Sequence, residues 1–424
     1  MINNEYKNTE LGLLPDDWKI ICLGDINTEK NQNISPLKDE IYEYYSIPAY
    51  QENNKPEIVK GSTILSQKKI LKENMILFGK LNPRVEKVWK VGNYSNYKKI
   101  GSGEWITIFP NPYEVSAEYL FYLELSKFVM PIAKTLVTGS TPSRQRVDPN
   151  SFYKLKVPLP PLKEQQKIAY VLSAVKQTQE KTLRIINSLK ELKKSTMKHL
   201  FTYGLVDLED VNQIKLINTE IGKIPEHWNV TKLSDLCETY SGGTPNRGNK
   251  SYWENGIIPW AKSGELEDNE IISTEEKITK EGLENSSAKY VDEGTLLMAM
   301  YGATAGKVGL AKSKFTINQA ICAMVPNKKF FSKFYFYYLI LVRDKLLSMR
   351  FGGAQPNLNQ QIIKDLEVPS LPLAEQQQIS DVLSKIDAKI KAERGRKGAL
   401  EQLFKSLLSN LMSAKIRVNN LKVS

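Results

Sequence analysis

The sequence predicts an α+β chain with an internal repeat. Two mixed α/β domains stand in tandem, separated by two long antiparallel coiled-coil helices related by a pseudo-two-fold. Three observations predict this. First, Asn8-Thr9-Glu10-Leu11-Gly12-Leu13-Leu14-Pro15-Asp16-Asp17-Trp18 returns 210 residues later as Asn218-Thr219-Glu220-Ile221-Gly222-Lys223-Ile224-Pro225-Glu226-His227-Trp228. Second, Val157-Pro158-Leu159-Pro160-Pro161-Leu162-Lys163-Glu164-Gln165-Gln166 returns 211 residues later as Val368-Pro369-Ser370-Leu371-Pro372-Leu373-Ala374-Glu375-Gln376-Gln377. Third, apolar residues follow each second block in steps of three and four, the spacing of a helical seam. Between the two blocks nothing visibly repeats. One frame is therefore used twice with different contents, an arrangement suited to reading two different things at a fixed separation.

The elements follow in order. The first domain spans 1–158. Met75-Ile76-Leu77-Phe78-Gly79 and Trp105-Ile106-Thr107-Ile108-Phe109 are short apolar runs bounded by turn residues, and are expected as buried strands. Ala117–Leu125 is expected as a helix with Leu120 and Leu123 inward. The first helical spacer covers 159–206. Pro160-Pro161 fixes an extended approach, and a helix can start just past it. Its seam is Ile168, Leu172, Val175, Ile186 and Leu189. The second domain, 207–369, repeats the scheme with strands at Thr295–Met300 and Ala320–Val325 and a helix at Phe334–Leu339. The second spacer, 370–424, has its seam at Ile379, Leu383, Ile386, Ile390, Leu400 and Phe404. Each spacer helix of roughly 40 residues would be about 60 Å long. Gly395 and Gly398 weaken the second one locally. A single apolar stripe needs a partner: the other copy is the expected one, and an exposed helix that binds another protein is the alternative.

Composition narrows the function. The 424 residues allow two domains with real cores. With 59 basic and 47 acidic residues the net charge is +12, which favours a polyanionic partner. No apolar run approaches the ~18 residues that span a bilayer, and the start of the chain has no signal-like segment. Cys22, Cys237 and Cys322 are far apart and odd in number, as expected of reduced core thiols in a cytoplasmic protein. If the partner is duplex DNA, rising about 3.4 Å per base pair, such struts would set two readers one to two helical turns apart. Unlike inserts then imply an asymmetric, split site with an unread spacer.

The repeated blocks resemble those of the specificity subunit of Type I restriction-modification enzymes. Gly222–Trp228, Leu371–Ile379 and the ending Lys415-Ile416-Arg417-Val418 are similar to that family's motifs. In the second insert Ser241-Gly242-Gly243-Thr244-Pro245, Ile258-Pro259-Trp260, Tyr301–Lys307 and Asn318-Gln319-Ala320 look like one class of target recognition domain. In the first, Ile76–Arg84 looks like another, without the Ser-Gly-Gly-Thr-Pro opening. The resemblance covers nearly the whole chain. It implies a non-catalytic reader of double-stranded DNA. The reader would hold two methyltransferase (modification) subunits on its helices and a pair of restriction (motor-nuclease) subunits around them. The S-adenosylmethionine used to methylate adenine would belong to the partner, so no cofactor is expected on this chain.

Candidate contacts follow from residue chemistry. Basic residues crowd positions 60–99, where Lys68, Lys69, Lys80, Arg84 and Lys87, with Asn82, are candidates for phosphate contact. Ser140, Thr141, Ser143, Arg144, Gln145 and Arg146 form a polar loop. Arg can pair with guanine O6 and N7, and Gln with adenine, each through two bonds. In the second domain the candidates are Thr244, Asn246, Arg247, Asn249, Lys250, Lys262, Ser263, Tyr301, Thr304 and Lys307. Gln355 and Asn357 join them at the position that matches the Ser143–Arg146 loop. Each of these is equally compatible with an ordinary polar loop or solvated surface, and Trp253 and Trp260 read as core.

Signals of catalysis fail on inspection. Gly302–Val308 has three residues between its glycines and a valine after the lysine, unlike a nucleotide-binding loop. Asn111-Pro112-Tyr113 lacks the second proline of an adenine methyltransferase motif. His199, His227 and the scattered cysteines form no metal set. The competing readings are a stand-alone DNA methyltransferase or nuclease, a helical scaffold without sequence preference, and the specificity chain of a two-subunit enzyme with fused methyltransferase and nuclease.

Overall fold

The computed structural model describes residues 6–29, 32–348, 358–418 and 421. The chain divides into two compact units, Met1–Leu183 with Gly395–Ser424, and Arg184–Arg394. Two helices are much longer than the rest, Leu162–Tyr203 and Leu373–Met412, and each contributes a stretch to both units. Among the described residues no helix is long and apolar enough to cross a membrane.

The first unit begins with an exposed hairpin, Tyr6–Thr9 against Gly12–Pro15, whose turn places Gly12 at φ +98°. Strand Lys19–Cys22 then pairs antiparallel with Lys156–Leu159, so the insert leaves where it entered. The insert holds a five-stranded sheet and a three-stranded one, the latter ordered Trp105–Ile108, Ile76–Gly79, Val88–Lys90. Strand Ile76–Gly79 is buried on both faces. Successive side chains of a strand point to opposite faces. Ile76 and Phe78 therefore enter the core that holds Leu120, Leu123 and Leu172, while Leu77 joins Tyr45, Trp89 and Trp105 in a second core. This explains why the run is continuously apolar instead of alternating. The helix expected at Ala117–Leu125 forms with those bounds, and the Ser116 hydroxyl accepts from the Tyr119 amide as its N-cap.

The long helices meet antiparallel within this unit. Glu164 lies at Arg417, and farther along Gln179 donates to the Leu400 carbonyl at 2.9 Å. Ile168 and Leu172 share one core with Leu411 and Met412, against which Phe404 packs. Val175 and Leu400 are half-buried.

The second unit is built on the same frame. Leu216–Thr219 and Gly222–Pro225 form its hairpin, and Asn229–Lys232 pairs with Glu367–Ser370. Its insert has a five-stranded and a four-stranded sheet. The expected strands appear as Leu296–Ala299 and Ile321–Pro326, paired antiparallel. Parity again divides their side chains: Leu296 and Met298 face one core, Leu297 and Ala299 another. The core helix is longer than its counterpart, Ser332–Ser348. Lys193 reaches Asp387 at 2.7 Å and Gly204, just past the end of the first long helix, lies beside Glu375, so the long helices are antiparallel here too. Ile379, Leu383, Ile186 and Ile390 are buried, and Leu189 and Ile386 half-buried. Gly395 and Gly398 do not interrupt the second long helix.

Each unit is fastened by the same lock. The Trp18 indole donates to Glu164 at 3.0 Å, and the Trp228 indole donates to Glu375 at 3.0 Å. The next residue, Gln165 or Gln376, is fully buried. Gln165 accepts from the Ser116 amide and donates to the Glu114 and Pro160 carbonyls. Gln376 does the same with Phe331, Lys329 and Leu371. A further partner of the glutamate differs: Arg417 bonds Glu164, and His227 meets Glu375. Gly204, at φ +76°, ends the first long helix beside this second lock, where a Cβ would lie 3.2 Å from the Glu375 carboxylate.

Cys22 is half-buried, and Cys237 and Cys322 are buried; all three are free thiols. Burial pushes the Cys237 and Cys322 thiols up to about 12, so both stay protonated.

One buried group breaks the symmetry of the frame. Glu124 is fully buried in the first core helix, and neither carboxylate oxygen has a hydrogen-bond partner. Tyr122, two residues earlier, meets Ser173 as Tyr337 meets Ser384, so the matching position is Leu339. Burial raises the Glu124 carboxyl well above the ordinary glutamate range. The folded state thus keeps a proton that the unfolded chain releases near the usual value of about 4.3. Stability from this group is full below that pH and declines as pH rises toward the raised folded value. Glu124→Leu is expected to stabilise the protein by about 2 kcal/mol at neutral pH, with the gain shrinking as pH falls toward about 4 and level below that. Urea unfolding across pH checks this, and a destabilised variant would contradict it.

Candidate nucleic-acid interface

In the first unit the fold sorts the basic run into committed and uncommitted cations. The Lys68 ammonium is buried and donates to the Ser66 carbonyl and hydroxyl. That of Lys87 is buried and donates to the Asn82 and Val85 carbonyls. Burial lowers both ammonium groups from the ordinary lysine value. Lys60, Lys72, Lys90 and Lys99 pair with Asp39, Glu29, Glu118 and Glu43. Lys69, Lys80, Arg84 and Lys98 have no side-chain partner among the described residues.

Backbone bonds bring the free cations and the polar loop together. Lys80 donates to the Glu104 carbonyl, and Val147 donates to that of Lys80. Asn82, in the left-handed region at φ +46°, donates from its amide to Gln145, and Leu81 bridges Arg146. Asn82 Oδ1 is buried without a partner. Ser140, Thr141, Ser143 and Arg144 are exposed, and Gln145 is half-buried. Arg144 has no acidic partner among the described residues, whereas Arg146 donates from Nε and Nη2 to the Glu104 carboxylate and from Nη1 to the Arg144 carbonyl. The hydrogen bond to Glu104, then its charge, raises the Arg146 value further. Arg146 thus braces the loop from which Arg144 projects.

The second unit gathers its candidates differently. The Arg247 guanidinium lies 3.7 Å from the Trp253 ring centroid and pairs with Glu276. Lys262 bonds Glu275 and Glu276. The Arg247 hydrogen bond, then that of Lys262, hold the Glu276 carboxyl below its usual range. Trp260 is buried and donates to the Gly243 carbonyl. Asn246 and Asn249 spend their side-chain oxygens on the backbone of their own loop, and Lys250 stands exposed near Glu254. Thr244 donates to Gln319, Thr304 to the Ser263 carbonyl, and Lys307 faces Glu267. Tyr301 is exposed beside Gly302, which sits at φ +76° with open space on its Cβ side. The glycines of Ser241-Gly242-Gly243 serve close packing: a Cβ on Gly242 would lie 1.9 Å from the Ile317 carbonyl oxygen. Gln355 and Asn357 lie outside the described residues.

Sequence reasoning missed the acids that organise both sites. Glu104 lies 42 residues from Arg146 and Glu276 lies 29 from Arg247, so no local spacing reveals either pair. Among the described residues no group of three or more His, Cys, Asp and Glu is placed to hold a metal ion.

A family model described as the Type I restriction modification DNA specificity domain matches the chain twice, over residues 15–191 and 225–402. The chain belongs to this family. Each match opens in the leading hairpin and runs through the insert onto a long helix, so the duplicated frame is the family's own unit. The Type I restriction enzyme MjaVIII specificity subunit of Methanocaldococcus jannaschii is 26% identical over 96% of this chain and 95% of its own. A chain from a structure of the type I R-M system superposes with TM-score 0.62 at 19% identity, covering 95% of this chain and 99% of that one. The Type-I restriction-modification system S subunit from M. genitalium gives 0.58 at 14% identity, covering 97% of each. At these identities the superpositions establish the fold.

The Arg146 brace is open to test without DNA. Glu104→Gln should release Arg146 and loosen the loop, so that the Arg144 and Val147 amides exchange with deuterium faster than in the parent protein. Unchanged protection there would show that the loop is held without the ion pair.

Proposed function

We propose that this chain is the DNA-reading subunit of a Type I restriction-modification complex. The domain of the first unit reads one half of a split, asymmetric duplex site, and that of the second reads the other. The long helices fix the unread spacer and dock two modification subunits, with two restriction subunits beyond them; the chain itself performs no chemistry and works in the cytoplasm. The observation that carries this reading is the duplication of one lock around two unlike inserts. Matched frames suit two copies of one partner, whereas unlike inserts suit two unlike sequences.

Side chains fall into roles on this reading. In the first domain Arg144 and Arg84, with Gln145, are among the residues proposed to meet DNA, because their polar groups are not spent on carboxylates. Lys68, Lys87 and Arg146 shape the surface from behind. In the second domain Tyr301 and Lys250 face outward, while Arg247 and Lys262 hold their loops through Glu276.

Selection of random duplexes by the assembled modification complex tests the proposal. One motif with two dissimilar halves and a fixed spacer is expected; enrichment of no motif would overturn the reading. Arg144→Ala is expected to relax the first half alone, at about 1–3 kcal/mol of discrimination, whereas an equal loss on all sequences would mark a phosphate contact. Removing two heptads from both long helices is expected to shorten the spacer and leave both halves unchanged. A changed half-site would mean that the helices are not the ruler.

A further inference from the structure

Lys69 and Lys80 are brought together by folding, and neither is paired with an acid among the described residues. Lys69 lies in strand Lys68–Ile70, opposite Gly101 on one side and Asn33 on the other. Lys80 follows strand Ile76–Gly79, and its amide bonds the Glu104 carbonyl. The two lysines therefore flank the turn between Gly101 and Glu104, where Gly103 faces open space. The nearby charges are already spent. Glu104 is held by Arg146, Lys99 by Glu43, and Lys68 turns to Ser66. Lys98 is exposed at the far end of its strand, and the flanking strand Asn33–Ile34 carries no titratable group. Neither Lys69 nor Lys80 has a hydrogen-bond or ion-pair partner among the described residues. Two like charges held close, one of them half-buried, are unfavourable unless an anion completes them.

Resting on the DNA-reading function, we infer that Lys69 and Lys80 form one anion site that grips a single backbone phosphate, and that binding there is coupled to protonation of Lys69. Burial, then the Lys80 charge, lowers the Lys69 ammonium to about 8 in the free protein. An arriving phosphate reverses the second effect and favours the charged form. The sign follows from linkage: below pH 8 Lys69 is already charged and binding takes up little, while above it binding must recruit a proton and affinity falls. A phosphate contact carries no base information, so the loss is shared by all sequences.

The test is the affinity of the assembled modification complex for its selected duplex, and for an unrelated duplex, between pH 7 and 9.5. Affinity for both should fall about tenfold between pH 8 and 9.5. Lys69→Arg, with a charge that does not titrate, should flatten the profile while keeping binding at pH 7. Lys80→Gln should move the fall to higher pH and reduce the salt dependence by about one ion. Specific binding with a flat profile in the parent, or an equal fall in Lys69→Arg, would overturn the phosphate site and leave the reading function standing. Absence of sequence preference at every pH would overturn both.

Discussion

The architecture depends on a hydrogen bond made twice, from an indole at the end of a hairpin to a glutamate in the first turn of a long helix. Trp18 to Glu164 and Trp228 to Glu375 each join segments about 146 residues apart. The neighbouring glutamine then ties the core helix of the insert to the same turn through three backbone bonds. A buried glutamine whose donors and acceptor are all used costs little, and losing it would strand several polar groups at about 1–3 kcal/mol each. The lock thus closes the insert at both ends and leaves its sheets and loops free to differ. The two units show that freedom: three strands against four in the smaller sheet, and a core helix of 9 residues against one of 17.

Charge is handled by the same economy. The first domain carries a dense run of lysines, yet most are neutralised or buried as donors to their own loops. Of what remains uncommitted, Lys69 and Lys80 flank the turn at Gly101–Glu104, and Arg144 stands in the loop at 140–146. An excess of positive charge over the whole chain attracts a polyanion without direction. On the proposed reading, the directed part would come from the few cations that the fold declines to pair. In the second domain each candidate cation has an acid partner. Two domains that differ in this way are suited to different sequences.

Much of the fold was legible because it is repeated and periodic. The repeated blocks located the frame, and the seam residues located both long helices to within a few positions. Apolar runs located the central strands, since a strand between two cores has no polar face to confuse it. The pairing of charges was not legible. Glu104 with Arg146, Glu276 with Arg247 and Glu164 with Arg417 are meetings across sheets and between distant elements, and sequence spacing carries no trace of them. Glu124 was hidden for another reason: within a helical pattern a charged residue reads as the solvent face, and here it points into the core. The candidate contact residues were named from their chemistry, but separating Arg144 from Arg146, or Lys69 from Lys68, required their neighbours.

The central claim is that one frame presents two unlike readers to one DNA molecule. A genome-wide map of methylated adenine, in cells with and without this chain, tests it most directly. The account requires methylation to vanish at a single split motif whose halves differ. An unchanged map, or loss at an unsplit palindrome, would contradict it.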